Sequence, residues 1–115
     1  HAVWFGERDG RQRARYARLA SDGSPQGQVI ELPDERADHA DVAVAGKRVA
    51  IVWRSFDGER MRLRAWLSDD GGRHFALREL AATELENDYP RLAQLGERIA
   101  VIWRTEHEVQ VHDLR

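Results

Sequence analysis

Residues 67–75, Leu-Ser-Asp-Asp-Gly-Gly-Arg-His-Phe (LSDDGGRHF), decide the fold. They read as the end of a strand, a tight polar turn and the start of another strand. Ser68, Asp70, Gly72 and Phe75 stand at the spacing S-x-D-x-G-x-x-F, and each has a physical task. Short polar side chains such as Ser68 and Asp70 bond backbone N–H groups within a turn. Gly71 and Gly72 admit the positive φ of a tight hairpin. Phe75 then pins the turn onto apolar surface beneath it.

Working outward, Met61, Leu63, Ala65 and Leu67 alternate with Arg62, Arg64 and Trp66, the period of a strand. Further out the chain repeats itself. His1-Ala-Val-Trp4, Ala50-Ile-Val-Trp53 and Ala100-Val-Ile-Trp103 recur at spacings of 49 and 50 residues. With Gly46 and Gly96 superposed, residues 42–54 align with 92–104, each two apolar runs joined by a Gly-containing turn. That is a β-hairpin. After each Trp come a polar loop and a further strand, expected at about 11–19, 60–67 and 108–114. Asp9-Gly10 and Asp57-Gly58 favour type I′ turns. Fourth strands are expected at about 27–32 and 73–80. Polar, acidic linkers over 33–40 and 81–90 carry the chain onward. No segment has a convincing 3.6-residue period. Residues 76–86 contain helix formers, but their apolar spacing is poor. The expectation is an all-β chain of about ten strands in repeat units of about 1–36, 37–86 and 87–115.

The turn at 68–75 resembles the Asp-box of BNR-repeat, sialidase-like β-propellers, where it joins the outer strands of a blade. The resemblance implies that the chain is a segment of four-stranded antiparallel meanders from an incomplete propeller. Ser21-Asp-Gly-Ser24 is a degenerate first copy. A blade cannot bury both faces alone, and small propellers need about four blades. The implied partners are therefore further blades, from a parent chain or from other copies. The chain begins at His1 directly in what reads as mid-strand, so a leader or preceding segment is expected to have been removed. Other propellers share this period, and a β-sandwich is the alternative architecture.

By the same resemblance, Asn87-Asp-Tyr-Pro-Arg-Leu92 matches the segment that places a nucleophilic Tyr before an innermost strand. Tyr89 would be that catalytic residue. A phenol with pKa near 10 needs a carboxylate base for this work, and the family's Glu falls near Arg104, a departure. The F/Y-R-I-P motif that supplies a carboxylate-binding Arg is absent. The other reading of Tyr89 is a partly buried ring over the strand entrance, its hydroxyl bonded to backbone. His39 and Asp41 occupy, in the second unit, the positions of Tyr89 and Arg91 in the third, and such divergence marks candidate binding residues. Arg54 and Arg104 each follow a repeated Trp. Either binds a carboxylate bidentately, or both pair with acidic loop residues. Trp4, Trp53 and Trp103 are read as packing between units, with sugar stacking as the alternative. Trp66 and Tyr16 are expected at an exposed edge. Arg8, Arg11, Arg13, Arg15 and Arg18 read as a solvated basic edge strand, or an anionic-ligand patch.

Composition bounds the function classes. The 115 residues suffice for a small domain with a core. The net charge of −2 argues against a nucleic-acid footprint. Of the 18 basic residues only Lys47 is a lysine, so planar carboxylate-binding groups are plentiful. Without Cys there are no disulfides or thiolate sites. No apolar run is long enough to span a membrane. The five His residues lack ligand spacing, so neither a metal nor a cofactor is expected. The family resemblance implies two functions: a glycan- or protein-binding module, or a fragment of an exo-sialidase-like glycosidase. A purely structural role is the third. The family resemblance implies a periplasmic or secreted location.

Overall fold

Five consecutive apolar residues, Val49-Ala-Ile-Val-Trp53, are all at or below 1% exposure. A strand apolar on both faces needs a layer on each side, and the architecture supplies them. A computed structural model of the chain describes residues 1–8 and 10–114, with the backbone alone described at 7, 8, 11 and 12. It is all-β, with ten strands among the described residues in three antiparallel sheets. The first sheet has the order β1 (Ala2–Arg8), β2 (Arg11–Ala17), β3 (Ile30–Glu31). The middle sheet is the meander β4 (Asp38–Ala45), β5 (Arg48–Phe56), β6 (Met61–Ser68), β7 (Ala76–Thr83). The third is β8 (Arg91–Leu95), β9 (Arg98–Arg104), β10 (Val109–Leu114).

The side-chain alternation of a strand divides β5 between two cores. Val49, Ile51 and Trp53 pack with Ala14, Tyr16, Leu32 and Ala37 of the first unit. Ala50 and Val52, with Ala45, Leu63 and Ala65, pack against Ile99, Val101, Trp103 and Leu114 of the third sheet. Burying each of the Val, Leu and Ile side chains among these contributes about 1.5–3 kcal/mol, and each Ala less. The middle sheet is therefore covered on both faces. Gly46 and Gly96, each at φ 63, take the same place in the hairpins β4–β5 and β8–β9.

Several details differ from the sequence expectation. The fourth strand of the first unit shortens to Ile30–Glu31, and that of the second shifts to Ala76–Thr83, into the expected linker. The turn at Asp57-Gly58 is not type I′, which needs positive φ at both central residues; only Gly58 has it. Instead Asp57 Oδ1 accepts the N–H groups of Glu59 and Arg60 at 2.9 and 2.8 Å, forming a four-residue loop. The expected turn at Asp9-Gly10 rests on Asp9, which lies outside the described residues. Tyr16 is not at an exposed edge but buried. The basic strand is not an edge either, since β2 lies between β1 and β3. Arg15 is buried, donating to the Gly6 carbonyl at 2.7 Å, and Arg13 donates to the Leu32 carbonyl at 2.7 Å. Trp53 and Trp103 are fully buried between sheets, but Trp4 is 38% exposed.

The turn at 68–75 ties the middle sheet to the first. Phe75 stacks on Trp66, with ring centroids 4.9 Å apart, and meets Tyr16 edge-on at 5.2 Å. Gly72 sits under the Tyr16 hydroxyl: a Cβ at 72 would lie 2.1 Å from that oxygen. Its φ of +91° independently disfavours any side chain. Burial pushes the Tyr16 phenol pKa up, partly offset by the Arg18 cation, so the hydroxyl keeps its proton. It is bonded to the His1 Nδ1 at 2.6 Å.

Gly72→Ala is therefore expected to cost about 2 kcal/mol or more, combining backbone strain with the clash. In a Tyr16→Phe background the nearest atom is gone, and the penalty shrinks. Urea unfolding of the four proteins of this cycle measures the coupling. Strictly additive penalties would mean that Tyr16 does not press on residue 72.

Candidate functional site

The polar chemistry gathers where chains enter their first strands. In the middle sheet, Asp38 begins β4 and pairs with Arg54 of β5, with Oδ2 3.0 Å from Arg54 Nε. Fifty residues on, Asp88 precedes β8 and lies 3.3 Å from Arg104. The Arg residues after the repeated Trp thus form ion pairs with acidic partners at matched positions. Arg54 reaches further: its Nη1 donates to the Asn87 carbonyl at 3.1 Å and to the Asn87 side-chain oxygen at 2.9 Å. It therefore fastens the 87–90 segment of the third unit to the middle sheet.

The pairing of β4 with β5 slips between Asp38 and Asp41, leaving a bulge at His39 and Ala40. His39 has φ +48°, an unusual conformation for a residue with a side chain. Three contacts hold it there. Its Nδ1 is bonded to Asp38, its ring stacks on Tyr89 at 3.5 Å and 9°, and the Arg54 guanidinium lies 4.5 Å from that Tyr89 ring. Asp41 turns to the third sheet and accepts the Leu92 N–H at 2.9 Å. Arg91 stands exposed at the start of β8. His39, Arg54 and Tyr89 thus come together, and Asp41 and Arg91 flank them on neighbouring strands. Arg104 belongs to a separate polar hollow of about 350 Å³ with Asp88, Glu86 and Glu106.

Tyr89 is 39% exposed. Among the described residues its hydroxyl is hydrogen-bonded to neither backbone nor carboxylate; the ring is held by its faces instead. Beside His39 opens a cleft of about 550 Å³, lined by Trp4 and Phe5 of β1, by Ala14, and by Glu35, Arg36 and Asp38 among others. Its volume lies in the range of small-ligand sites. The exposed Phe5 ring, on the same face of the sheet as Ala14, stands there beside two carboxylates, a guanidinium and an imidazole. Such a lining offers a flat apolar platform together with hydrogen-bond donors and acceptors. Among the described residues, no group of three or more His, Asp or Glu side chains is placed to hold a metal ion. No helix is long and apolar enough to cross a membrane.

The sequence expectation named His39, Arg54 and Tyr89, which the fold brings together, but not Phe5, Glu35, Arg36 and Asp38, which stand beside them. For Asp38 a signal existed, its match to Asp88 at the spacing of the Trp repeat. For Phe5, Glu35 and Arg36 there was none, because the fold alone brings β1 beside the linker after β3. No protein-family model, curated protein or solved structure matches the chain.

The Asp70 carboxylate lies in the β6–β7 turn and not among the residues that line this cleft. Asp70 Oδ1 accepts the Ser68 hydroxyl at 2.7 Å and the N–H groups of Arg73 and His74 at 3.0 and 2.9 Å. Its Oδ2 lies 2.6 Å from His74 Nδ1. Ser68 is buried and its Oγ accepts the Gly72 N–H at 2.9 Å. The His74 imidazole, then the His74 and Ser68 hydrogen bonds, hold the Asp70 carboxyl well below the ordinary carboxylate range. Because folding lowers this pKa, the unfolded chain binds the proton first. The stabilisation is present at neutral pH and is lost as acid titrates the folded carboxylate. Asp70→Asn is expected to lower the melting temperature at pH 7. The gap to the unmodified chain should narrow below about pH 4, where unfolded carboxyls protonate. A gap independent of pH would assign the loss to geometry alone.

Proposed function

We propose that the three sheets are consecutive blades of an Asp-box β-propeller, and that the chain is a glycan-binding segment of it. The observation that carries this is the cleft of about 550 Å³ beside His39, with Trp4 and Phe5 on one side and Glu35, Arg36 and Asp38 on the other. A sugar ring has an apolar C–H face and a rim of hydroxyls. The Phe5 ring, on the Ala14 side of β1, matches the face, and the carboxylates, Arg36 and His39 match the rim. The mixed signs of charge suit a hydroxylated ring better than a polyanion. The bulge at His39 and its positive φ support the same location, since strain and bulges concentrate at functional sites. Support for blades comes from the four-stranded meander of the middle sheet, the repeat near 50 residues and the Asp-box turn between β6 and β7. The further blades that complete the ring are the proposed partners.

The exo-sialidase reading rests on Tyr89 at the mouth of β8, next to Arg54. It asks for a carboxylate base that activates the phenol. Loss of fluorogenic sialoside turnover in Tyr89→Phe would support it.

The binding reading is tested by calorimetric titration with lactose, cellobiose and 3′-sialyllactose. Binding of at least one sugar is expected, and Phe5→Ala should weaken it about tenfold, the effect of about 1.4 kcal/mol of lost stacking. Glu35→Gln should weaken it less. No heat with any of the three at millimolar concentration would overturn the reading, as would an affinity indifferent to Phe5→Ala.

A further inference from the structure

β5 and β9 carry nearly the same apolar run, Val-Ala-Ile-Val-Trp and Ile-Ala-Val-Ile-Trp. Their fates differ. All five residues of the β5 run are buried. In β9 only Ile99, Val101 and Trp103 are, while Ile102 is 41% exposed. The bare face continues through Leu95, Val109 and Val111, at 68%, 61% and 65% exposure. Superposing Gly46 on Gly96 and following the cross-strand pairs matches these four to Ala45, Val52, Leu63 and Ala65. Those four are among the five buried residues of the middle sheet that the third sheet covers, the fifth being Ala50. The bare face is thus the counterpart of one that the chain elsewhere buries.

The covering face has a counterpart too. In the middle sheet Trp53 pairs with Arg64, and Arg64 with Glu79. In the first sheet Trp4 pairs with Arg15, and Arg15 with Glu31. The same Trp–Arg–Glu row therefore crosses both sheets. Trp53 and its row face the first sheet. Trp4 and its row alternate with Ala14 and Tyr16, which face the middle sheet, so the Trp4 row lies on the outer face.

We propose that these two faces form one interface: the bare face of the third sheet docks on the Trp4 face of a second copy of this chain. The contact would repeat one that the chain already builds twice, between its first and middle sheets and between its middle and third. It joins two different surfaces, so growth continues from copy to copy until a ring closes or a filament forms. The inference stands on the stacking of sheets and not on the ligand of the cleft. A sugar titration and a mass measurement therefore fail independently.

The test is sedimentation of the intact chain at rising concentration. The mass is expected to climb above the 13.2 kDa of one copy. Val111→Arg blocks the apolar face and Trp4→Glu blocks the other. Each alone is expected to move the association midpoint at least about tenfold upward, because an unpaired charge would have to be buried. Mixed together, the two variants retain one intact face each and should form a one-to-one dimer that grows no further. Circular dichroism checks folding, and Val109→Lys replaces Val111→Arg if that variant does not fold. A monomer at every concentration overturns the proposal. So does association that survives Trp4→Glu, which would mean that two third sheets pair with each other, or a mixture that stays monomeric.

Discussion

The burial of Val49–Trp53 on both faces is the constraint on which the architecture depends. An antiparallel sheet commonly keeps one wet face and shows it by alternating apolar with polar residues. β5 does not alternate. Its five central side chains are all buried, so the middle sheet is stable only between two others. Trp53 illustrates the cost of such a position. Its ring lies in the core, yet its indole N–H needs an acceptor, and Asp34 of the linker supplies one at 2.6 Å. Asp34 is in turn paired with Arg64 on the next strand. Trp103 solves the same problem with the Asp88 carbonyl, at 2.9 Å. In both units the segment before the first strand caps the Trp, which makes the linker part of the core rather than a tether.

Polar ties then fix how neighbouring sheets sit. Asp41 accepts from Leu92 of the third sheet. Arg48 reaches across to the Leu114 carbonyl at 2.6 Å. Gly72 receives the Tyr16 ring from the first sheet. Each tie is short and directional, whereas apolar contact alone would let sheets slide. The β6–β7 turn is one of these ties. Its internal hydrogen bonds shape the loop so that Phe75 and Gly72 both meet Tyr16.

Much of this was legible in the sequence, for definable reasons. The hairpins were visible because Gly46 and Gly96 punctuate apolar runs at one spacing, and backbone chemistry at such turns is local. The polar turn at 68–75 was visible because its side chains bond within the turn itself. Burial of Tyr16 was not, since it depends on Gly72, more than fifty residues away. Nor was the placement of Arg15, whose burial depends on β2 being a central strand and on Glu31 and the Gly6 carbonyl. The candidate cleft was half legible. His39 and Tyr89 were found as a mismatch between aligned units, but Phe5 and Glu35 meet there only through the approach of β1 to β4. Long-range juxtaposition leaves no periodic trace in a sequence.

The divergence at residue 39 connects the repeat to the cleft. Both units enter their sheets through the same slip in pairing. Asp38 pairs with Arg54 before Asp41 pairs with Val52, and Asn87 bridges Thr105 before Arg91 pairs with Ile102. What differs is the residue carried there. In β4 the slip sets His39 at positive φ, against the Tyr89 ring and beside the aromatic edge of β1; fifty residues on, Tyr89 holds the matched position. Repeats supply the stable frame, and the different side chains carried at one matched strand entrance supply the chemistry.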